Sequence, residues 1–282
     1  MNKWILGARP RTLPAAIAPV LVATALAAES RNLSRAGLAL LVSVSLQVGV
    51  NFANDYSDGI RGTDADRVGP TRLTASGLAT PRAVKIAAYL SFFVGALAGL
   101  SLAALTSWWL VVIGGVAILA AWGYTGGKNP YGYSGFGEIS VFIFFGLVAT
   151  MGTYYVQVER LTFQSLLASL PIGALACAIL AVNNLRDREK DFLVGKRTLA
   201  VRLGDRNARY FFVLLIICAH LAAIATIFPW GACTLILAPI SIGLSRKILG
   251  GAQGKDLIPL LGATGKLQLL FAAVFSITLI LG

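Results

Sequence analysis

Runs of about 20 apolar residues recur along the whole chain, and they constrain its fold more than any other feature. A helical run of this length crosses the roughly 30 Å hydrocarbon core of a bilayer. Only 13% of the 282 residues are charged, whereas soluble domains carry about 25% charged residues. The mean hydropathy is +0.76. The sequence therefore predicts an all-α integral membrane protein, with residues 1–282 forming a single polytopic membrane domain.

The hydropathy pattern predicts nine transmembrane helices joined by short connections. The predicted spans are 13–28, 34–53, 83–105, 108–124, 138–157, 165–182, 210–228, 230–248 and 260–281. When the N-terminus and the loops after spans two, four, six and eight share one face, that face carries 20 of the 24 Lys and Arg residues. The positive-inside rule places this face in the cytoplasm and, with nine spans, the C-terminus outside. The net charge of +12 is thus largely a topology signal, and no nucleic-acid partner is expected.

Seven of the twelve acidic residues fall in two short stretches, the first island (residues 51–72) and the second island (residues 183–198). Each island begins at the cytoplasmic end of a predicted span. Charged groups within a membrane protein mark watery functional cavities. The islands lie four spans apart, which suggests a parallel internal repeat with the site between the two halves.

Helical spacing groups the oxygen-bearing side chains of each island. If the helix continues into the first island, Asn51, Asp55 and Asp58 lie on one face. In the second island, Asn183, Asp187 and Asp191 fall four residues apart, and the same argument places them on one face.

Carboxylates that share a helix face repel one another, and a bound cation relieves that repulsion. Oxygen-only ligands suit Mg²⁺, which takes one or two carboxylates and completes its coordination with water and phosphate oxygens. No set of His and Cys offers a zinc site, and the interleaved Arg and Lys can neutralise phosphate. Ordinary solvated loops would explain either island alone. Two islands with the same Asn-x-x-x-Asp opening on one membrane face favour a metal-diphosphate site.

Several segments of the chain resemble the UbiA superfamily of intramembrane prenyltransferases, and most of all its branch that acts on 1,4-dihydroxy-2-naphthoate. The matching segments are residues 9–14, 51–72, 124–127, 132–133, 137–138, 144–146, 152–157 and 183–204. The resemblance implies an all-helical bundle around a central cavity that opens to the cytoplasm and laterally to lipid. It also implies a Mg²⁺ cofactor and a location in the cell membrane, with the active site on the cytoplasmic side.

The activity implied by the resemblance is transfer of a polyprenyl group from an allylic prenyl diphosphate to dihydroxynaphthoate, with loss of CO₂ and diphosphate. The implied partners are these two substrates and the lipid bilayer. The residues that the resemblance assigns to metal binding are Asp55, Asp58, Asp64, Asp187 and Asp191, all but Asp64 also being assigned as catalytic. Asp64 lies six residues after Asp58, whereas the superfamily at large has four, so Asp66 is an alternative ligand.

The resemblance also assigns substrate-binding residues. The amides expected to orient ligands or phosphate are Asn51, Asn54, Asn183 and Asn184. The cations expected to hold the diphosphate are Arg61, Arg72, Lys196 and Arg197, although Lys196 also suits a plain interfacial charge. Tyr124 and Lys128 are candidates for contact with the aromatic acceptor, and membrane-interface anchoring is their alternative role.

Other functions explain the islands less well. A transporter would place its charges nearer the middle of its spans. Asp55-x-x-Asp58-Gly59 begins like the motif of CDP-alcohol phosphotransferases, but Gly62 and Thr63 stand where that family needs Ala-Arg. Within the superfamily, 4-hydroxybenzoate or a related ring remains an alternative acceptor.

Overall fold

The computed structural model describes residues 2–63, 69 and 71–282, and every regular element within them is helical. The helices are α1 (Lys3–Ala8), α2 (Pro14–Leu26), α3 (Leu33–Ile60), α4 (Pro81–Leu105), α5 (Trp109–Gly123), α6 (Gly137–Val158), α7 (Phe163–Leu193), α8 (Leu199–Thr226), α9 (Trp230–Leu249) and α10 (Leu257–Leu281). Residues Phe142–Val148 of α6 form a π-helical segment. The predicted all-α class is confirmed.

In the described part of the chain, seven helices are long and apolar enough to cross a membrane, as in a multi-pass membrane protein. These are α3, α4, α6, α7, α8, α9 and α10. The first and fourth predicted spans coincide with α2 and α5, which are apolar but only 13 and 15 residues long. A full crossing usually takes about 20 residues. The count of nine crossings therefore stays a prediction, as does the side on which each terminus lies.

Both islands begin inside a helix, which is the condition under which their spacing groups the oxygen-bearing side chains on one face. Helix α3 continues to Ile60 and α7 continues to Leu193, so the predicted spans 34–53 and 165–182 end too early. Hydropathy falls where the polar residues begin, although the helix persists. Helix α8 likewise starts well before residue 210 and has a break in its helical backbone at Gly204, where φ is 74°, a conformation that glycine adopts readily.

Helix α7 lies at the centre of the bundle. Of its most apolar window 78% is buried, against 33% for the corresponding window of α4. The largest buried cluster comes from α2, α7, α8, α9 and α10, and a smaller one joins α3 to α4. Where α6 meets α7, a Cβ on Gly146 would lie 2.6 Å from the Cα of Gly173, and small residues permit such close approach of membrane helices.

The two island-bearing helices have similar surroundings. Helix α3 packs along α4, and α7 packs along α8, so each island helix is paired with the helix that follows it. This arrangement agrees with the hypothesised repeat. It also brings both islands to the same cavity.

Candidate functional site

A cavity of about 820 Å³ runs between the island helices α3 and α7, with α5 and α6 contributing to its walls. On α3 its lining extends from Ala39 to Asp58, which is about 28 Å at 1.5 Å per residue. One region is lined by carboxylates and amides, namely Asn54, Asp58, Asn183, Asn184, Asp187 and Asp191. The other is lined by apolar side chains, including Leu46, Leu102, Ile113, Phe144 and Val156. Such a cavity suits a long apolar ligand with a polar head.

Asp58 is the point at which the two islands meet. Its Oδ1 accepts a hydrogen bond from the Lys196 ammonium at 3.0 Å, across 138 residues of sequence. The same oxygen accepts a hydrogen bond from the Tyr133 hydroxyl. Since Asp58 is only 5% exposed, its charge is balanced by groups from outside its own helix.

Tyr133 connects the islands through the loop between α5 and α6. The Lys196 ammonium lies 4.4 Å from its ring centroid and the Arg61 guanidinium carbon lies 5.4 Å from it, both within cation–π range. Its carbonyl accepts a hydrogen bond from the backbone N–H of Arg197 at 2.7 Å. Burial raises the pKa of the Tyr133 hydroxyl above its usual range, and the neighbouring Asp58 carboxylate raises it further. The hydroxyl is therefore a neutral donor to Asp58 at physiological pH.

Asp55 occupies a different environment from Asp58. It is 1% exposed and does not line the cavity. Its two carboxylate oxygens accept hydrogen bonds from the backbone N–H groups of Leu73 and Thr74, at 2.8 and 2.9 Å. The structure thus places this predicted metal ligand where it anchors the segment that carries Arg72, which does line the cavity.

Two charged residues of the second island pair with each other within α7. Arg186 donates two hydrogen bonds to the carboxylate of Asp187, at 2.8 and 2.7 Å, and one to the side-chain oxygen of Asn183 at 2.8 Å. Asn184 donates to the carboxylate of Glu138 at 2.9 Å. Glu138 is 5% exposed and orients this amide from behind the cavity wall.

Two of the cations predicted to hold diphosphate line the cavity, and two do not. Arg72 and Lys196 belong to the lining. Arg61 instead donates to the carbonyls of Thr125 and Gly127 and so fixes the loop after α5. Arg197 is exposed and lies over the Phe192 ring.

The loop after α5 carries both residues proposed for the acceptor. Tyr124 lines the cavity, whereas Lys128 is exposed and lies outside the lining. The Thr125 hydroxyl donates to the side-chain oxygen of Asn54 at 2.6 Å. Arg61, by holding this loop, therefore acts on the cavity through Asn54.

Asn51 ties the N-terminal segment to α3. Its side-chain amide donates to the Ala8 carbonyl at 2.9 Å and to the Thr12 hydroxyl at 3.1 Å, and its backbone carbonyl accepts from the Arg9 guanidinium at 3.1 Å. These bonds bring Arg9 and Arg11 to the cavity.

Sequence reasoning missed several of the residues around the cavity. They are Arg9, Arg11, Tyr133, Arg186 and Lys190, all of which line it. The spacing of Lys190, three residues after Asp187 on a continuing helix, was the available signal. For Tyr133, no spacing argument connects the loop after α5 to either island.

The polar region of the cavity fits Mg²⁺ that is shared with a phosphate ligand. Its described lining contains Asp and Asn but no His or Cys, which is the hard oxygen donor set that Mg²⁺ prefers. Within residues 2–63, 69 and 71–282, no three His, Cys, Asp or Glu side chains converge into a metal cage. Mg²⁺ needs no such cage when phosphate and water complete its coordination. The predicted ligand Asp64 and its alternative Asp66 lie outside the described residues.

Comparison of the sequence with known proteins gives a consistent set of relatives. Residues 16–256 match the UbiA prenyltransferase family. The 1,4-dihydroxy-2-naphthoate octaprenyltransferase of Mycobacterium tuberculosis is 49% identical over 96% of this chain and 94% of the relative. The enzyme of the same name from Escherichia coli is 37% identical over 96% of this chain and 93% of the relative.

Solved structures share the fold at low sequence identity. A UbiA homolog from Archaeoglobus fulgidus bound to GPP and Mg²⁺ superposes with a TM-score of 0.70 at 14% identity, covering 100% of both chains. An apo UbiA homolog from Aeropyrum pernix gives a TM-score of 0.67 at 14% identity, covering 96% of this chain and 97% of the homolog. At this identity the likeness concerns the fold alone.

Proposed function

The chain belongs to the UbiA prenyltransferase family, and we propose that it transfers a polyprenyl group from an allylic prenyl diphosphate to 1,4-dihydroxy-2-naphthoate. The products are demethylmenaquinol, CO₂ and diphosphate. The naphthoate prenyltransferases that it resembles match it along nearly their whole length, and their names specify this acceptor and an octaprenyl donor.

One contact supports the proposal above all others, namely the ion pair between Lys196 of the second island and Asp58 of the first. A diphosphate shared between two islands requires them to reach one cavity from distant parts of the chain. The ion pair, together with the common cavity lining, meets this requirement.

The residues at and near the cavity have different proposed roles. We assign Asp58, Asp187 and Asp191 to Mg²⁺, with Asn54 and Asn183 beside them and with Asp64 as a further ligand. Bound Mg²⁺ would supply positive charge that stabilises diphosphate as the leaving group. Asp55 we assign to holding the segment at Leu73 and Thr74.

The cations of the cavity lining bind the diphosphate oxygens whose charge Mg²⁺ does not neutralise. Arg72 and Lys196 lie at the polar region, where N–H donors form charge-assisted hydrogen bonds with phosphate oxygens. They hold the head group so that the first carbon of the prenyl chain points toward the acceptor.

The apolar region accepts the prenyl chain. Its lining by Leu46, Ile113 and Phe144 keeps water from the reacting carbon, which would otherwise be hydrolysed. The acceptor occupies the junction of the two regions, next to Tyr124. Its ring carbon that carries the carboxylate forms the new C–C bond while the prenyl C–O bond breaks with its electron pair going to diphosphate. The bond between this ring carbon and its carboxylate then breaks, CO₂ leaves, and the bonding electron pair returns to the ring.

The distribution of Lys and Arg supports a plasma-membrane orientation in which both islands face the cytoplasm. Both substrates and Mg²⁺ then reach the polar region from the cytoplasmic side. The N-terminus lies on the same side in this proposal.

A side-by-side acceptor assay tests the proposal. Purified protein in detergent, with Mg²⁺ and a prenyl diphosphate, should prenylate dihydroxynaphthoate with release of CO₂, whereas 4-hydroxybenzoate should react at least about tenfold more slowly, a difference of about 1.4 kcal/mol in transition-state binding. Chelation of Mg²⁺ should stop the reaction, and readdition should restore it. Equal turnover of the two acceptors would overturn the naphthoate assignment.

A further inference from the structure

We propose that Lys190 is an additional diphosphate-binding residue, whose ammonium has no hydrogen-bond partner among the described residues and is available to the incoming substrate. This inference rests on the proposed prenyl transfer and adds a binding residue to that site. Lys190 lies within the second island, but it is not among the four cations that the resemblance assigns to the diphosphate.

Helical geometry places Lys190 on the cavity face of α7. It follows Asn183 by seven residues and Asp187 by three, so these three side chains share one face. All three line the cavity. Lys190 stands in the last turn of α7, on the side of the polar region away from the apolar lining.

The ammonium of Lys190 is buried, and no hydrogen-bond partner reaches it within the described residues. Two nearby cations each have an acceptor in this structure. Arg186 donates to Asp187 and Asn183, and Lys196 donates one hydrogen bond to Asp58, which leaves its other donors for the diphosphate.

A buried ammonium with no acceptor destabilises the folded protein, so its position is best explained by a ligand that supplies the acceptor. A lysine ammonium is a compact charge with three donors, which suits the oxygens of a phosphate group. Diphosphate is the polyanion expected beside Asp187. The carboxylate of the acceptor is the competing partner, and the test separates the two.

Replacement of Lys190 by Met tests the inference with two readouts. The KM for prenyl diphosphate should rise about 10-fold to 100-fold, because a hydrogen bond to a charged group is lost, while the KM for dihydroxynaphthoate stays within about twofold. Lys190→Arg retains a cation and should recover most of the loss. Lys247→Met is the matched control, since Lys247 also stands in the last turn of a helix but is exposed.

Thermal unfolding supplies a readout that needs no turnover. Without ligand, the Lys190→Met protein should unfold at the same temperature as the wild type or higher, because an uncompensated buried charge is gone. Inorganic diphosphate with Mg²⁺ should raise the unfolding temperature of the wild type and raise that of Lys190→Met clearly less.

The outcomes distinguish this inference from the proposed function. If the wild type shows no shift with diphosphate and Mg²⁺ and no prenyl transfer, the proposed function fails. If the wild type shows both, and Lys190→Met matches it in KM and in thermal shift, only the role of Lys190 is overturned. A rise confined to the KM for dihydroxynaphthoate would assign Lys190 to the acceptor and likewise overturn diphosphate binding.

Discussion

The two islands open with the same Asn-x-x-x-Asp pattern, yet they hold their central aspartates in different ways. Asp58 is paired with Lys196 and Tyr133, which come from other parts of the chain. Asp187 is paired with Arg186, its immediate neighbour on α7. Among the contacts of the described residues, Asp58 therefore depends on tertiary partners, whereas Asp187 has a partner within its own helix. One short motif can thus serve one site through either long-range or local partners.

Replacing Asp58 or Asp187 should have the largest effect on turnover. These two variants test whether the aspartates have equivalent roles despite their different partners. Asp58→Asn and Asp187→Asn should each lower turnover by about 10³-fold or more, since each removes a carboxylate from the proposed Mg²⁺ site. Turnover of purified protein at saturating Mg²⁺ and substrates is the measurement. Asp256→Asn is the control, because Asp256 is exposed and should leave turnover unchanged. If either island variant stays within tenfold of wild type, the islands are not equivalent.

A smaller effect should follow from removing the long-range partner alone. Lys196→Met breaks the ion pair but leaves the Tyr133 hydrogen bond, and turnover should fall about 10-fold to 100-fold because one charge-assisted contact is lost. Lys196→Arg should retain more activity, and the Mg²⁺ concentration that gives half-maximal rate shows whether Asp58 is still well placed. Wild-type turnover in Lys196→Met would mean that the first island is ordered without the second half of the chain.

The smallest effect on activity is expected at the other buried aspartate of the first island. Asp55→Asn should lower the free energy of unfolding by about 1–3 kcal/mol, because an amide cannot accept well from both the Leu73 and Thr74 N–H groups. Turnover per folded molecule should stay within about fivefold of wild type. Thermal unfolding and turnover are measured on the same preparation. The reverse pattern, lost turnover at unchanged stability, would show that Asp55 is a metal ligand and that its bonds to the Leu73 and Thr74 segment matter little.

The sequence predicted the parts of this molecule that depend on local pattern. Apolar runs predicted the helices, and four-residue spacing predicted that Asp58 and Asp187 would face a common site. The surroundings of Asp55 could not be predicted, because helical spacing places Asp55 on the face of Asp58 and carries no information about the segment that returns at Leu73 and Thr74. The hydrogen bond between Tyr133 and Asp58 could not be predicted either, since it joins residues 75 apart in the sequence.

Charge alone was a weaker guide than spacing. Arg61 and Arg197 were expected to hold diphosphate because they are basic residues of the two islands, yet neither lines the cavity. Lys190 does line it, and only its position on the face of α7 indicated this. The ligand role of Asp64 stays a prediction.

The ion pair at the centre of the site has a consequence for biosynthesis. Lys196 is synthesised 138 residues after Asp58, which takes about 7 to 28 s at 5–20 residues per second. During that interval the Asp58 carboxylate has no countercharge from Lys196, and its charge is costly within hydrocarbon. We therefore expect the Asp58 end of α3 to stay in the hydrated headgroup zone of the nascent protein until α7 and Lys196 have been made. The first half of the chain would then complete its insertion only when the second half arrives.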